Sequence, residues 1–305
     1  MSKKFQGYLN LSLAMILVGS TVIASKIIAA GLAPFTATAL RFAIAFPLFL
    51  LLMWFTRTSW PKLKGRDWLI LLAQAGAGSV GYTTLLIAGL SLTSATDAGV
   101  VIGTLPVVSA AIAILVLGER PDRRMLAAIA LAAVGVLTIV FKPGETGSHS
   151  PLGIALIFGA VICEGLFILL NKRVKAEISP LALSTLMTGL GFAVALIPAL
   201  FEAHATAAID KNAILAVLYY ALIPTVAGFV LWYAGSAKVS GTEASVFTAL
   251  APVSAVIFAF LLLGEPVGSH QLLGIGCVLG AVLGLTVPQI IASRRTARSF
   301  SAGEA

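Results

Sequence analysis

A glutamate, Glu164, stands inside a long apolar stretch of the chain, with VIC before it and GLF after it. Removing an ionised carboxylate from water costs free energy, so a carboxylate in such a stretch is a candidate for function. On a helix, Phe167 and Asn171 share one face with Glu164, at spacings of three and seven residues. We expect this face to bind an amine or to carry a proton through Glu164. The structural alternative is a carboxylate that pairs with a neighbouring helix.

Arg41 is a second charged residue within an apolar stretch, and Thr38 precedes it by about one helical turn. Its guanidinium could hold a carboxylate or offset the charge of Glu164. Two alternatives stay open, because a long basic side chain can also reach the nearest polar surface or cap the carbonyls of a neighbouring helix. Lys26 lies near the end of the first apolar stretch. A lysine there more often anchors the chain at an interface than binds a ligand, but it is a further candidate.

Uncharged polar residues accompany these charges in other apolar stretches. Gln74, Gly78 and Tyr82 lie on one side of a helix at four-residue spacing. Gln74 and Tyr82 are therefore candidates for ligand contact, and hydrogen bonding between helices is the alternative. Thr225 and Thr248 are weaker candidates of the same kind.

The composition indicates what surrounds these stretches. Apolar residues make up 59% of the chain, charged residues only 10%, and the mean hydropathy is +1.04. Water-soluble domains carry about 25% charged residues, so most of this surface must face lipid. The net charge of +8 comes in short clusters between apolar runs. Such clusters are typical of juxtamembrane loops, which argues against nucleic-acid binding and makes the lipid bilayer the expected partner.

A helix needs about 20 apolar residues to cross roughly 30 Å of hydrocarbon. We find ten runs of this kind: residues 9–30, 35–56, 68–90, 95–117, 124–141, 152–170, 181–201, 213–235, 243–263 and 271–291. The sequence therefore predicts an all-α integral membrane protein with ten transmembrane helices.

Lysines and arginines fall on one side of these predicted helices. Sixteen of the twenty lie at the N-terminus, in every second loop or in the C-terminal tail. Because cytoplasmic loops retain basic residues, both termini are predicted to be cytoplasmic. The same topology predicts an aromatic belt at the cytoplasmic interface, formed by Trp54, Trp60, Trp68, Trp232 and Tyr233.

The chain repeats itself at an offset of 146 residues. LPVVSAAIAILVLGERP, residues 105–121, returns as APVSAVIFAFLLLGEPV, residues 251–267. Across residues 91–121, eleven of the thirty-one positions are identical to their counterparts. Further pairs at this offset are Lys26 with Lys172 and Pro34 with Pro180. A unit of five helices must enter the membrane the second time from the opposite side, which predicts two inverted five-helix repeats.

The repeat divides the chain into five segments. These are a cytoplasmic N-terminus (1–8), a first repeat (9–141), an external linker (142–151), a second repeat (152–291) and a cytoplasmic tail (292–305). Pro106 and Pro252 occupy equivalent positions about a dozen residues into their predicted helices. A proline removes a backbone hydrogen bond and kinks a helix, so this pair is a candidate hinge. Static bends that shape a cavity are the alternative.

The ordered set of motifs resembles the drug/metabolite transporter superfamily, in its EamA branch of ten-helix permeases. The resemblance covers residues 9–291 and rests on Gly19 and Ser20, Lys26, Pro34, the LRF of Leu40, Arg41 and Phe42, and the proline and LGE pattern in both halves. It implies a small-molecule substrate, export of amino acids or related metabolites, exchange with protons, and a place in the bacterial inner membrane. Inverted repeats of this kind are expected to expose a central cavity to the two sides in turn.

Other function classes find little support in the residues. No metal-ligand spacing, phosphate loop or Ser-His-Asp pattern occurs, so we expect neither an enzyme nor a cofactor. Within transport, import or exchange of a vitamin, nucleobase or sugar-like metabolite is the alternative. One carboxylate and one guanidinium in apolar stretches favour a zwitterion or small polar solute over a highly anionic nucleotide sugar.

Overall fold

The structure is a computed structural model, and it describes residues 3–93, 101–102, 104–140, 150–202, 210–263, 268–270 and 272–284. Helices dominate these residues, and no β-strand occurs among them. The all-α class predicted from the apolar runs is confirmed for this part of the chain.

The described α-helices are numbered α1 to α13 in chain order. They are Lys3–Ala29, Pro34–Phe55, Gly65–Gln74, Tyr82–Leu92, Leu105–Leu117, Arg123–Val140, Pro151–Arg173, Pro180–Glu202, Lys211–Tyr220, Gly228–Ser236, Gly241–Thr248, Leu250–Leu263 and Leu272–Gly284. A first π-helical turn, Ala75–Gly81, joins α3 to α4, and a second, Ala221–Ala227, joins α9 to α10. Each of these joined pairs is one continuous helical rod.

Seven helical rods within the described ranges are long and apolar enough to cross a bilayer. They are α1, α2, α3 with α4, α7, α8, α9 with α10, and the stretch Gly241–Phe258. Two shorter apolar helices, α5 and α13, add to these. The protein is therefore a multi-pass membrane protein, whereas the count of ten and the cytoplasmic position of the termini stay predictions.

Helices α2 and α8 are the second helices of the two halves, and they form an antiparallel pair. The backbone N–H of Thr36, at the start of α2, donates to Oε2 of Glu202, at the end of α8, over 2.8 Å. Further along α2, the ring of Phe42 lies against Gly191 of α8. An antiparallel contact between corresponding helices is the arrangement that an inverted repeat would produce.

The first helix of each half packs against the other half. Helix α1 contacts α10 and α12, and α7 contacts α4 and α5. Gly19 of α1 faces Ser254 of α12, while Gly165 of α7, 146 positions after Gly19, faces Ile112 of α5. Both glycines allow close helix approach, because a Cβ at Gly19 would lie 1.9 Å from Oγ of Ser254. This exchange of first helices encloses a space between the two halves.

The two π-helical turns also stand 146 residues apart, and both border that space. In the first turn, the carbonyl of Ser79 accepts a hydrogen bond from Arg41 of α2 over 3.1 Å. In the second, Oγ1 of Thr225 donates to the carbonyl of Tyr220 over 2.9 Å. A π turn widens the helix locally, which makes carbonyls available to side chains, and such turns are frequent at functional sites.

The two candidate hinge prolines both lie within three residues of the start of a helix. Helix α5 begins at Leu105, so Pro106 lies in its first turn, where the missing N–H has no helical acceptor to lose. Pro252 is the third residue of α12, which begins directly after α11 ends at Thr248. Pro252 thus lies about a dozen residues into the stretch Gly241–Phe258, as expected, next to the boundary between α11 and α12. Their role as hinges stays a prediction.

Candidate functional site

A small cavity lies between the two halves, where α1, α2, α7 and the two rods with π-helical turns converge. Its volume is about 70 Å³, far below the roughly 300–1,000 Å³ of pockets that enclose drug-sized ligands. Polar side chains reach it from every one of these elements: Thr21, Arg41, Ser79, Tyr82, Glu164 and Thr225. The cavity is thus mostly apolar with a few polar groups that converge on it, and a solute of amino-acid size would require it to widen.

Glu164 of α7 lines this cavity and keeps partial accessibility. Its carboxylate makes no hydrogen bond or ion pair with any described residue. The phenols of Tyr82 and Tyr233 lie within electrostatic range of it. A packing role would need a partner on a neighbouring helix, so the geometry favours a carboxylate available to a ligand or a proton.

Arg41 of α2 is buried, with 4% of its surface exposed, so it does not reach the membrane surface. Nη2 donates to the carbonyl of Ser79, and the guanidinium carbon lies 4.2 Å from the ring centroid of Phe42 and 4.6 Å from that of Tyr220. Two aromatic faces and one carbonyl therefore fix the guanidinium. Nε is buried and has no hydrogen-bond partner among the described atoms, which leaves a donor for a ligand.

Aromatic rings form one wall of the cavity. The ring centroid of Phe167 lies 6.3 Å from that of Phe229 and 6.1 Å from that of Trp232. The predicted membrane-anchoring belt is wrong for Trp232 and Tyr233, which are only 4% and 2% exposed. The reason is that α10 packs against α1 and α8 and turns these rings inward. The other predicted members, Trp54, Trp60 and Trp68, are exposed.

Four residues predicted to contact a ligand lie outside the cavity lining. Gln74 is fully buried, and its Nε2 donates to the carbonyl of Phe167 over 3.3 Å, which joins α3 to α7. Asn171 shares a helix face with Glu164 but lies about 10.5 Å further along the axis, where it binds α10. Thr248 donates to a carbonyl of its own helix, and Lys26 is exposed. The cavity does bring together Arg41, Tyr82, Glu164, Phe167 and Thr225.

The sequence repeat relates the two sides of the cavity. Six lining residues of the first half have lining counterparts 146 positions later: Val18 with Glu164, Thr21 with Phe167, Gly78 with Pro224, Ser79 with Thr225, Tyr82 with Gly228 and Thr83 with Phe229. Thr21 was missed as a candidate, and the offset applied to Phe167 would have found it. Tyr220 was missed as well, and nothing in the sequence distinguishes it from Tyr219. The hydroxyl of Tyr219 instead donates to Oγ of Ser20, over 2.7 Å.

Both halves of the chain match one protein family, described as the EamA-like transporter family. The match covers residues 5–141 and again residues 151–287. The chain belongs to the EamA-like transporter family. It is therefore a membrane transporter, and the family assignment made from the sequence motifs is confirmed.

Two relatives and one solved structure are similar to this EamA-family protein over most of its length. The uncharacterized transporter YetK of Bacillus subtilis is 35% identical over 288 residues, which cover 92% of this chain and 86% of the relative. A probable terminal-alkyne amino-acid exporter of Streptantibioticus cattleyicolor is 29% identical over 205 residues, 66% of this chain and 67% of the relative. A solved structure with 17% identity covers 92% of this chain and 96% of its own, with a TM-score of 0.74, and it supports the fold.

Replacing Gly78 with alanine should distort the cavity of this transporter. The added Cβ would lie 2.2 Å from Cβ of Phe167, an atom next to the backbone of α7, so α7 and the π-helical turn must shift relative to each other. Overpacking costs about 1–3 kcal/mol, so we expect KM for transport to rise at least about fivefold. The matched control is Gly76→Ala in the same π-helical turn, where a Cβ meets no atom within 4 Å. Equal KM values for the two variants would contradict this role of Gly78.

Proposed function

We propose that this EamA-family protein is a secondary transporter that exports amino acids or related small zwitterions through the cavity at Glu164 and Arg41. Ten transmembrane helices, in two inverted halves of five, expose the cavity to the cytoplasm and to the outside in turn. Both termini lie in the cytoplasm, and the membrane is the bacterial inner membrane. Pro106 and Pro252, each next to a helix start, are the hinges.

The observation that carries the proposal is the pair of opposite charges in one cavity. Arg41 and Glu164 both line it, and neither forms an ion pair with a described residue. Glu164 has no partner among the described residues, and Nε of Arg41 is a buried donor without one, which is costly for both groups. A ligand with an ammonium group and a carboxylate would satisfy both residues, whereas a plain amine or a plain acid would leave one of them unpaired. Zwitterions are therefore the best-matched substrate class.

Alternating access is supported by the symmetry of the cavity lining. Six pairs of lining positions are related by the repeat offset, and the π-helical turns that carry some of them are related in the same way. Two structurally similar halves can exchange conformations, which opens a site between them first to one side and then to the other. The small volume of the cavity fits a state in which access is restricted.

Coupling to protons follows from the single carboxylate. Glu164 is the acidic residue among those that line the cavity. It can hold a substrate ammonium or a proton but not both together, so the two compete for one site. Competition of this kind converts an inward proton gradient into outward movement of substrate.

The names of two relatives agree with the proposed substrate class. One is the probable amino-acid exporter from Streptantibioticus, and the other is a probable amino-acid metabolite efflux pump of Salmonella typhimurium. The Salmonella protein is 29% identical over 202 residues, 62% of this chain and 65% of the relative. These names concern those proteins, and the cavity charges are the reason to extend the substrate class to this one.

Ligand-dependent thermal stabilisation of the purified protein in detergent would test the substrate class. A ligand at a hundredfold excess over its Kd stabilises the folded state by about 2.7 kcal/mol. We expect some amino acids to raise the unfolding temperature, and their decarboxylated amines and deaminated acids to do so much less. Stabilisation by vitamins, nucleobases or sugars alone would contradict the proposal and favour an importer or exchanger of those solutes.

A further inference from the structure

Side chains of the first half hold the start of α11 at one end of the protein. Glu119 accepts hydrogen bonds from the backbone N–H groups of Gly241 and Thr242 over 2.8 and 2.9 Å. Lys4, in the first turn of α1, forms an ion pair with Glu243 at 2.6 Å. The two halves are therefore bonded together at this end.

Lys172 adds a bridge between two rods that line the cavity. It lies in the last turn of α7 and donates to the carbonyls of Ser236 and Val239, at the C-terminal end of α10, the second over 2.5 Å. Glu119 and Glu243 lie within electrostatic range of its ammonium group. A cation is stabilised at the carbonyl end of a helix. Because α7 and α10 both line the cavity, this bridge ties two walls of the cavity together on the Lys172 side.

The repeat gives Lys172 a counterpart, Lys26, in a different environment. The residues that correspond to the two carbonyl acceptors are Leu90 and Thr93, at the C-terminal end of α4. Lys26 is exposed and makes no hydrogen bond or ion pair with a described residue. The buried hydroxyl of its neighbour Ser25 also has no partner within the described chain, whereas the counterpart Asn171 binds α10. One bridge is thus made, and the related one is not.

The two lysines lie at opposite ends of the protein. Lys4, on the same helix as Lys26, belongs to the bonded end with Glu243. The 22 residues from Lys4 to Lys26 span about 33 Å of helix, close to the thickness of the hydrocarbon core. Lys26 and Lys172 therefore stand on the two sides of the cavity.

We propose that Lys172 and Lys26 are gating residues that act in turn, an inference that rests on the proposed alternating access. In the state described here, Lys172 bridges α7 to α10 and closes the cytoplasmic side. In the opposite state, Lys26 bridges α1 to the carbonyls of Leu90 and Thr93 and closes the external side, while Lys172 is released to water. Both bridges would place a lysine ammonium at the carbonyl end of a helix, where a cation is stabilised.

Sided labelling of a cysteine in the cavity tests this pair of gates without a substrate. The reporter is Thr21→Cys, because Thr21 lines the cavity, in a background with both native cysteines replaced by alanine. A membrane-impermeant maleimide is added to one side of oriented vesicles. We expect Lys172→Met to raise the labelling rate from the cytoplasmic side about tenfold, since a hydrogen bond to a charged group contributes about 1.5–3 kcal/mol. Lys26→Met should raise it from the external side.

Two further variants serve as controls. Lys172→Arg keeps a cation that can donate to both carbonyls and should label like the parent, whereas Lys175→Met removes an exposed lysine three residues away and should change nothing. If Lys172→Met does not fold, Lys26→Met still tests the proposal, because Lys26 is exposed in this state. If the reporter is labelled from both sides and neither methionine variant changes the labelling rates, the gating role of the two lysines is wrong. Alternating access itself would not be contradicted by that result. A reporter labelled from only one side in every variant would contradict alternating access itself.

Discussion

Glu164→Gln should lower kcat/KM for transport of an amino acid by about 10- to 150-fold. Glutamine keeps the shape of the side chain but can neither carry a full negative charge nor bind and release a proton. A hydrogen bond to a charged group contributes about 1.5–3 kcal/mol, which sets this range. The measurement is the initial rate of labelled amino-acid uptake into proteoliposomes over a range of substrate concentrations.

Two further variants test whether the loss of kcat/KM in Glu164→Gln comes from the missing carboxylate at this position. Glu177→Gln makes the same chemical change at an exposed position between α7 and α8, and it should transport like the unchanged protein. Glu164→Asp keeps the carboxylate one methylene further from the cavity and should retain part of the activity and its response to a pH gradient. Full activity in Glu164→Gln would remove this residue from the mechanism.

Arg41→Lys should raise KM at least about tenfold for substrates that carry a carboxylate. Lysine keeps the positive charge but lacks the planar group that lies against Phe42 and Tyr220, and it has no counterpart to Nε. The substrate carboxylate would therefore lose a fixed charge-assisted hydrogen bond. Concentration dependence of uptake in the same proteoliposomes measures this change.

A substrate without a carboxylate distinguishes loss of carboxylate binding by Arg41 from a general disruption of the cavity. For a decarboxylated amine that is transported, the KM values of the Arg41→Lys variant and of the parent should agree within about twofold, the tolerance of independent effects. Equal losses for amino acid and amine would mean that Arg41 supports the structure of the cavity and not the carboxylate.

The charged members of the site could be predicted from the sequence because a charge in an apolar stretch is a strong signal. Arg41 and Glu164 have few neighbours of similar polarity along the chain. Their surroundings could not be predicted in the same way. Trp232 has the residue type of an interfacial anchor, and only the packing of α10 between other helices shows that it faces the cavity.

The helical fold and its internal repeat were also accessible from the sequence, but the details of helix interruption were not. The segments AGAGSVG and ALIPTVA share an alanine at the first position, a hydroxyl residue at the fifth and a valine at the sixth, but none of these residue types predicts the π-helical turn that both form. Their shape depends on contacts from elsewhere, such as the hydrogen bond from Arg41 to Ser79. The two prolines also differ in their surroundings, since Pro106 lies in the first turn of α5 and Pro252 lies inside the continuous stretch Gly241–Phe258.

The central claim is that this protein moves zwitterionic amino acids through the cavity between its halves. The most direct test is uptake of a panel of labelled amino acids into proteoliposomes under an imposed pH gradient, compared with liposomes without protein. We expect saturable uptake of one or a few amino acids that responds to the direction of the gradient. Folded, monodisperse protein that moves none of them, or that moves only a vitamin, nucleobase or sugar, would contradict it.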